Sequence, residues 1–390
     1  MKNYNRIGLT WIGYFSYALA GALVVVTGMV METIAKNFNL SIIKTSNIFT
    51  FLNAGILVSI LVNNYLIKII SIKKQIIYGF FLVIISLFLI IKFNNIFLFS
   101  LSIFILGIVS GMTMSISTYL ITYLYDEKKR VSILLISDSF FSMSGILFPF
   151  ITSLLLSNKI CWSWIYVIIE IIYLVIFLIS ITINFPKINK INKKKSSNIN
   201  IFNIEVIILS LSALLYILGQ LSLVSWIPEY AIKSLKIDIS IAGKLISNFW
   251  TFYMIGMWCF SAIIRFFDLK KIIIILTGIS AILTFIITKT MNITIFKYAI
   301  TALGFFSSSI YTIIITLGSM QTKISSPKII NIILTSGTFG TLLTFIITGP
   351  IVDIKGINIS LSISNILYTF VFILYIIYFL YKNQKKNTNN

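Results

Sequence analysis

Two carboxylates stand inside long apolar stretches of this chain, where an acidic residue is unfavourable. Asp138 follows Arg130 by eight residues, which places it about 12 Å along a helix from that charge. Glu170 is similarly central, nine residues after Cys161. An ionised carboxylate at such a depth costs about 3 kcal/mol or more, and the loss of water favours its protonated form. Asp138 is therefore a candidate for reversible proton binding.

Each carboxylate also has a structural interpretation. A protonated Asp138 would donate a hydrogen bond to a neighbouring Ser or Thr, and this alternative has equal weight with proton coupling. For Glu170 the structural interpretation is preferred, because acidic groups in membranes often pair locally.

The sequence contains no signature of an enzyme active site. The chain contains no His, and its two cysteines, Cys161 and Cys259, form no motif, so neither a zinc nor a haem signature is present. No Gly-rich phosphate loop appears, and no loop is long enough for a catalytic domain. We therefore predict that the protein is not an enzyme and holds no metal or cofactor.

The elements that carry these residues are twelve apolar segments. The composition is 58% hydrophobic and 11% charged, with a mean hydropathy of +1.02, whereas a soluble chain carries about 25% charged residues. A spanning helix needs about 20 mostly apolar residues. The sequence predicts an all-α integral membrane protein whose spans are 8–31, 46–67, 75–91, 96–123, 131–156, 161–183, 206–227, 245–264, 272–288, 298–317, 329–351 and 359–381.

The basic residues set the predicted orientation. A net charge of +21 would suggest nucleic acid in a soluble protein, but here the charge lies in the loops. If the N-terminus is cytoplasmic, the cytoplasmic ends and loops contain 21 of the 31 Lys and Arg residues. The positive-inside rule then predicts that both termini are cytoplasmic. Because Ile, Lys and Asn are plentiful throughout the chain, a single Lys or Asn in an apolar segment is weak evidence for a functional site.

One long polar connector, residues 184–203, divides the segments into six and six. It contains five Lys residues and is interpreted as a cytoplasmic linker, with binding to anionic lipid as the alternative. The predicted domains are a bundle at 1–183, the linker at 184–203, a second bundle at 204–381 and a tail at 382–390.

A weak internal repeat relates the two halves. Leu106-Gly107 matches Leu303-Gly304 and Lys73-Lys74 matches Lys270-Lys271, each pair at an offset of 197. Two parallel six-helix repeats are typical of major facilitator transporters.

Longer stretches of the chain closely resemble the TsgA family of the major facilitator superfamily. They include NRIGLTWIGYFSYALAGALVVVTGMVM at 5–31, FILGIVSGMTMSIST at 104–118, SWIPEYA at 225–231 and LGFFSSSIYTIIITLGSMQTKISSPK at 303–328. The resemblance runs nearly from end to end. It implies the major facilitator fold, with twelve helices in two bundles, in a bacterial inner membrane and near sugar-type proton symporters, but it implies no defined substrate.

The resemblance also implies that spans one, four, seven and ten line a substrate cavity, and each of them has polar residues at helical spacing. These are Thr10, Tyr14, Tyr17 and Gly21; Ser110, Thr113 and Ser117; Ser212, Tyr216 and Gln220; and Gly304, Ser308 and Tyr311. The cavity candidates are Tyr14, Tyr17, Ser117, Tyr216, Gln220, Ser308 and Tyr311. For the serines, hydrogen bonding between helices is the competing interpretation.

The gate candidates are the charged residues of two loops, Arg130, Arg265 and Asp268. Facilitators commonly carry G-x-L-x-D-R-x-G-R-R after the second span, but here residues 65–74 read YLIKIISIKK. Only the terminal basic pair matches, while the loop after the eighth span keeps both Arg265 and Asp268. We expect Arg265 and Asp268 to lie near one helix end, where ion pairs form and break between states.

Together these features predict a monomeric secondary transporter that moves a small neutral polar solute by alternating access. No Lys or Arg lies mid-membrane in the four polar spans, which argues against a permanently anionic substrate. Protons are the predicted coupling partner and the bilayer the surroundings, without nucleic acid. The alternatives are an uncoupled facilitator or exporter, and a membrane sensor or scaffold that transports nothing.

Overall fold

Most of the residues that the structure describes are helical. The computed structural model describes residues 5–40, 42–186, 203–237, 239–322 and 326–387. The helices of the first half are α1 (Arg6–Asn37), α2 (Ile42–Ile69), α3 (Ile72–Lys92), α4 (Ile96–Leu124), α5 (Glu127–Ser157) and α6 (Trp164–Thr182). Those of the second half are α7 (Ile204–Lys233), α8 (Ile239–Ile263), the 3-10 helix η1 (Ile264–Phe266), α9 (Leu269–Lys289), α10 (Ile293–Ser307), α11 (Ile310–Ser319), α12 (Pro327–Lys355) and α13 (Ile357–Asn387).

These helices confirm the prediction of twelve spans. Within the described residues, twelve stretches are long and apolar enough to cross a membrane. Most helices extend beyond the predicted apolar segments. In the tenth span, Ile293–Ser319, the helix is interrupted between α10 and α11.

The interruption follows from three consecutive serines, Ser307, Ser308 and Ser309. The Ser308 hydroxyl donates to the carbonyl oxygen of Phe305 at 2.7 Å, and the Ser308 amide reaches the same oxygen at 3.4 Å. Serine side chains compete in this way with the regular helical hydrogen bonds. The regular helix is therefore interrupted inside a span that stays apolar on both sides.

The contacts form two compact units. The first contains residues 1–126, 136–200 and 325–331, and the second contains 127–135, 201–324 and 332–390. The start of α5 thus packs with second-half helices, and the start of α12 packs with first-half helices. The predicted domain boundaries did not place the start of α5 with the second half or the start of α12 with the first half. Most of the predicted linker, residues 187–202, lies outside the described residues.

Within each unit the helices pair in the same pattern. In the first unit α1 packs against α2, α4 and α6, α3 packs against α4 and α6, and α2 packs against α4. In the second unit α7 packs against α8, α11 and α13, α9 packs against α10, α11 and α13, and α8 packs against α10. Counting α10 and α11 as one span, the six pairings correspond one to one, as a repeat of six helices requires.

Single residues repeat the pattern. Asn95 caps α4 by accepting hydrogen bonds from the amides of Phe97 and Leu98. Asn292, 197 residues later, caps α10 in the same way. The offset found in the sequence therefore describes equivalent positions in the two units.

Glycines at the repeat positions allow the backbones of neighbouring helices to touch. A Cβ atom on Gly107 would overlap the carbonyl oxygen of Leu52 in α2. A Cβ atom on Gly304 would overlap the carbonyl oxygen of Phe249 in α8, again 197 residues later for both partners. Small residues permit this close approach, which drives helix association in membranes.

Candidate transport site

Asp138 lies in α5, where it meets α1 within the first unit. It is half-buried, and its carboxylate is close enough to the Tyr17 hydroxyl for the two groups to interact electrostatically. The Tyr17 oxygen shares a hydrogen bond of 2.8 Å with Thr118 of α4. Tyr17 of α1 is therefore bonded to α4 and is within electrostatic range of a carboxylate on α5.

The other first-unit candidates lie on the same helices. The Tyr14 ring stacks on Phe140, two residues after Asp138, with 4.9 Å between ring centroids. The Ser117 hydroxyl donates to the Ser16 hydroxyl at 2.9 Å and is fully buried. Ser117 thus makes the helix-to-helix contact of its competing interpretation, whereas Tyr14 and Tyr17 flank the segment that contains Asp138.

Tyr216 is packed inside the second unit. Its side chain is fully buried, and its hydroxyl donates to the carbonyl oxygen of Ser307 at 2.7 Å, at the end of α10. Its ring meets that of Tyr368 in α13 edge to face, with centroids 5.7 Å apart. These contacts connect three helices of one unit, so in this structure Tyr216 stabilises the interrupted tenth span.

The remaining second-unit candidates have different surroundings. Ser308 is buried, and its hydroxyl donates to the Phe305 carbonyl of the same span. This hydroxyl lies so close to Gly256 of α8 that a Cβ atom on that glycine would overlap it. Gln220 is buried, and its Nε2 atom has no hydrogen-bond partner among the described residues. Tyr311 is half-buried and its hydroxyl lies against Gly337 of α12. The cavity role of these residues stays a prediction.

The gate candidates differ in their partners, because Arg130 bonds to another helix whereas Arg265 and Asp268 do not pair with each other. Arg130, at the start of α5, donates from Nη1 to the Ser319 hydroxyl at the end of α11, 2.8 Å away. Arg265 and Asp268 are both exposed and form no ion pair with each other in the described part of the chain. The Asp268 carboxylate instead accepts the Lys270 amide at 3.0 Å and caps α9.

A buried polar chain in the first unit was missed by sequence reasoning. Asn63 of α2 donates from Nδ2 to the Ser115 hydroxyl at 2.7 Å, and that hydroxyl donates to Oδ1 of Asn331 at 2.7 Å. All three side chains are fully buried. The available sequence signal is Asn63 inside an apolar segment, but a single Asn is weak evidence in a chain so rich in Asn.

Glu170 is the acidic residue of α6, and its side chain is buried, with 4% exposure. Its Oε2 atom has no hydrogen-bond partner among the described residues, and neither has the Tyr166 hydroxyl one turn earlier. The local pairing expected for Glu170 is therefore absent at this atom.

Comparison with known proteins agrees with the helix pattern. A sequence profile described as Major Facilitator Superfamily matches residues 10–319. The chain is 56% identical over 385 residues to "Protein TsgA homolog" of Buchnera aphidicola subsp. Acyrthosiphon pisum (strain Tuc7), covering 99% of both sequences. The chain belongs to the TsgA family of the Major Facilitator Superfamily. It is also 50% identical to the TsgA homolog of Yersinia enterocolitica, over 97% of this chain and 96% of that protein.

Solved structures show the same fold at low identity. The transporter FucP in its outward conformation has a TM-score of 0.79 at 20% identity, covering 95% of this chain and 97% of its own. The proton:xylose symporter XylE has a TM-score of 0.77 at 13% identity, covering 94% of each chain. The predicted family and fold are thereby confirmed, and membership in a transporter superfamily supports a transport role for this multi-pass membrane protein.

Proposed function

We propose that this TsgA-family protein is a proton-coupled secondary transporter of a small neutral polar solute, working by alternating access. Asp138 carries the proton, and Tyr14 and Tyr17 contribute to the solute site. The observation that supports this assignment is the electrostatic interaction of Asp138 in α5 with Tyr17 in α1, whose hydroxyl is hydrogen-bonded to Thr118 in α4. A carboxylate inside an apolar span is the kind of group that carries protons in membrane transporters.

The charge of the candidate residues supports a neutral solute. The seven cavity candidates are Tyr, Ser or Gln, which recognise hydroxyl or amide groups by hydrogen bonds. The structurally similar XylE and FucP are described as proton symporters of xylose and fucose. A hydroxylated solute of similar size fits both observations, and the gate candidates Arg130, Arg265 and Asp268 belong to the same proposal.

An untargeted comparison of metabolites tests the transport role. Cells that produce the protein are compared with cells that produce none, in the same medium, and we expect one class of small neutral solute to change severalfold. A variant with Asp138→Asn serves as a control for effects of membrane protein production alone. An unchanged metabolite profile would favour the sensor or scaffold alternative over transport.

The proposed location is a bacterial inner membrane with both termini in the cytoplasm, supported by the Lys and Arg asymmetry. Reporter fusions placed after Lys195 and at Asn390 are expected to give cytoplasmic signals. A fusion after Lys159, in the connection between α5 and α6, is expected to give the opposite signal. A periplasmic reading at Asn390 would contradict the orientation.

A further inference from the structure

A cavity of about 350 Å³ opens in the second unit where η1 meets α9. Its floor is apolar and includes Val131 from the start of α5 and Leu317 near the end of α11. Its lining also includes the consecutive residues 264–270, of which Arg265 and Lys270 are basic and form its rim with Asp268. We call it the headgroup pocket.

The acidic residue of the rim is already engaged. Asp268 caps α9 through its carboxylate, so part of its charge is directed at the Lys270 amide. Arg265 is exposed, and no acidic partner contacts it within the described ranges. Its guanidinium lies over the Phe266 ring, 4.9 Å from the centroid. The rim therefore presents a planar five-donor cation that is open to an anion.

Two lysines occupy the less favourable end of α9. Lys270 and Lys271 are in its first turn, which contains no acidic residue, and the helix dipole disfavours cations there. At the repeat position in the first unit, Lys73 donates to the carbonyl oxygens of Ile181 and Ile183 near the end of α6. The amides of Lys270, Lys271 and Ile272 are already bonded to Asp268, so a bound anion would interact with the side chains here and would offset the positive charge at this end of the helix.

Aromatic side chains beside the pocket indicate the rest of the ligand. Phe266 is 75% exposed and Phe267 is 60% exposed, although both adjoin a span. We propose that the headgroup pocket binds the phosphate of an anionic phospholipid, held by Arg265 and Lys270, with its acyl chains along Phe266 and Phe267. Basic pockets at the ends of membrane helices suit such headgroups.

Lipid binding to the purified protein tests this site without measuring transport, so its outcome is independent of the proposed function. Phosphatidylglycerol is titrated against the detergent-solubilised protein, with thermal unfolding and native mass spectrometry as readouts. Each basic residue near a membrane surface contributes enough attraction that losing two should weaken binding about 30-fold. We therefore expect Arg265→Gln/Lys270→Gln to lose most of the stabilisation by this lipid.

A matched double variant removes two exposed lysines elsewhere in the same unit. Lys289 ends α9 and Lys297 lies in α10, and Lys289→Gln/Lys297→Gln is expected to keep wild-type binding. An equal loss in both double variants would show unspecific charge attraction and overturn the site. Equal stabilisation of the wild type by soluble glycerol phosphate, or by phosphatidylcholine, would overturn an anionic lipid as the ligand. The unfolding temperatures without lipid confirm that each variant is folded.

Discussion

Asp138→Asn is expected to abolish proton-driven accumulation of the solute while leaving solute exchange in place. Asparagine keeps the shape of the side chain and remains polar towards the Tyr17 hydroxyl, with which Asp138 interacts electrostatically, but it cannot bind and release a proton. Loss of the coupling ion removes the driving force without removing the solute site. The measurement is uptake into proteoliposomes under a proton gradient, compared with counterflow at equal pH.

Glu170→Gln is the matched control, because it neutralises the other carboxylate within the apolar segments. Glu170 is enclosed at 4% exposure on α6, which is not one of the predicted cavity helices, so this variant is expected to accumulate solute as the wild type does. If Asp138→Asn still concentrates the solute and Glu170→Gln does not, the proton is carried on α6 instead.

Gly107→Ala is expected to be strongly destabilising for so small a change. The added methyl group would overlap the backbone carbonyl of Leu52, and a backbone atom cannot move aside as a flexible side chain can. Overpacking of this kind costs about 1–3 kcal/mol. Gly304→Ala is expected to behave alike, because it meets Phe249 at the equivalent place in the second unit. The measurement is thermal unfolding in detergent, together with the yield of folded protein.

Gly349→Ala provides the comparison within a third helix. Beyond its own stretch of helix, no atom of the described residues lies within 4 Å of a Cβ placed on Gly349, so this substitution should change stability by no more than about 0.5 kcal/mol. Equal unfolding temperatures for Gly107→Ala, Gly349→Ala and the wild type would show that α2 and α4 do not pack as closely as described.

The twelve spans could be predicted because the bilayer demands long apolar segments, and these are visible without tertiary information. The break in the tenth span could not be predicted by the same reasoning. The hydroxyl of Ser308 is satisfied by the backbone carbonyl of Phe305 in the same segment, so the segment keeps an apolar composition where the helix is interrupted. The three consecutive serines were the available signal.

Polar residues were harder to interpret than spans, because helical spacing identifies a face but not its neighbour. Tyr216 shares a face with Ser212 and Gln220 as predicted, yet its hydroxyl reaches the end of α10 inside the same unit. Asn63 and Asn331 come together only when their helices pack around Ser115. Their separation of more than 250 residues in sequence gives no local pattern.

The charged loops show a similar limit. The spacing of Arg265 and Asp268 predicted a common helix end, and both residues do lie there. The local turn decides their partners, however, since Asp268 becomes the N-cap of α9 and Arg265 packs on an aromatic ring. Capping by Asp is a strong sequence signal, and it could have been recognised in the pattern Asp-Leu-Lys-Lys.

Proton-driven uptake by the wild-type protein tests the proposed function most directly. Proteoliposomes that contain purified protein receive the solute identified by the metabolite comparison, first with and then without an imposed proton gradient. We predict accumulation above the external concentration only with the gradient, and none in liposomes that contain Asp138→Asn. Uptake that merely equilibrates the solute, with or without the gradient, would contradict proton coupling, and no uptake at all would contradict transport.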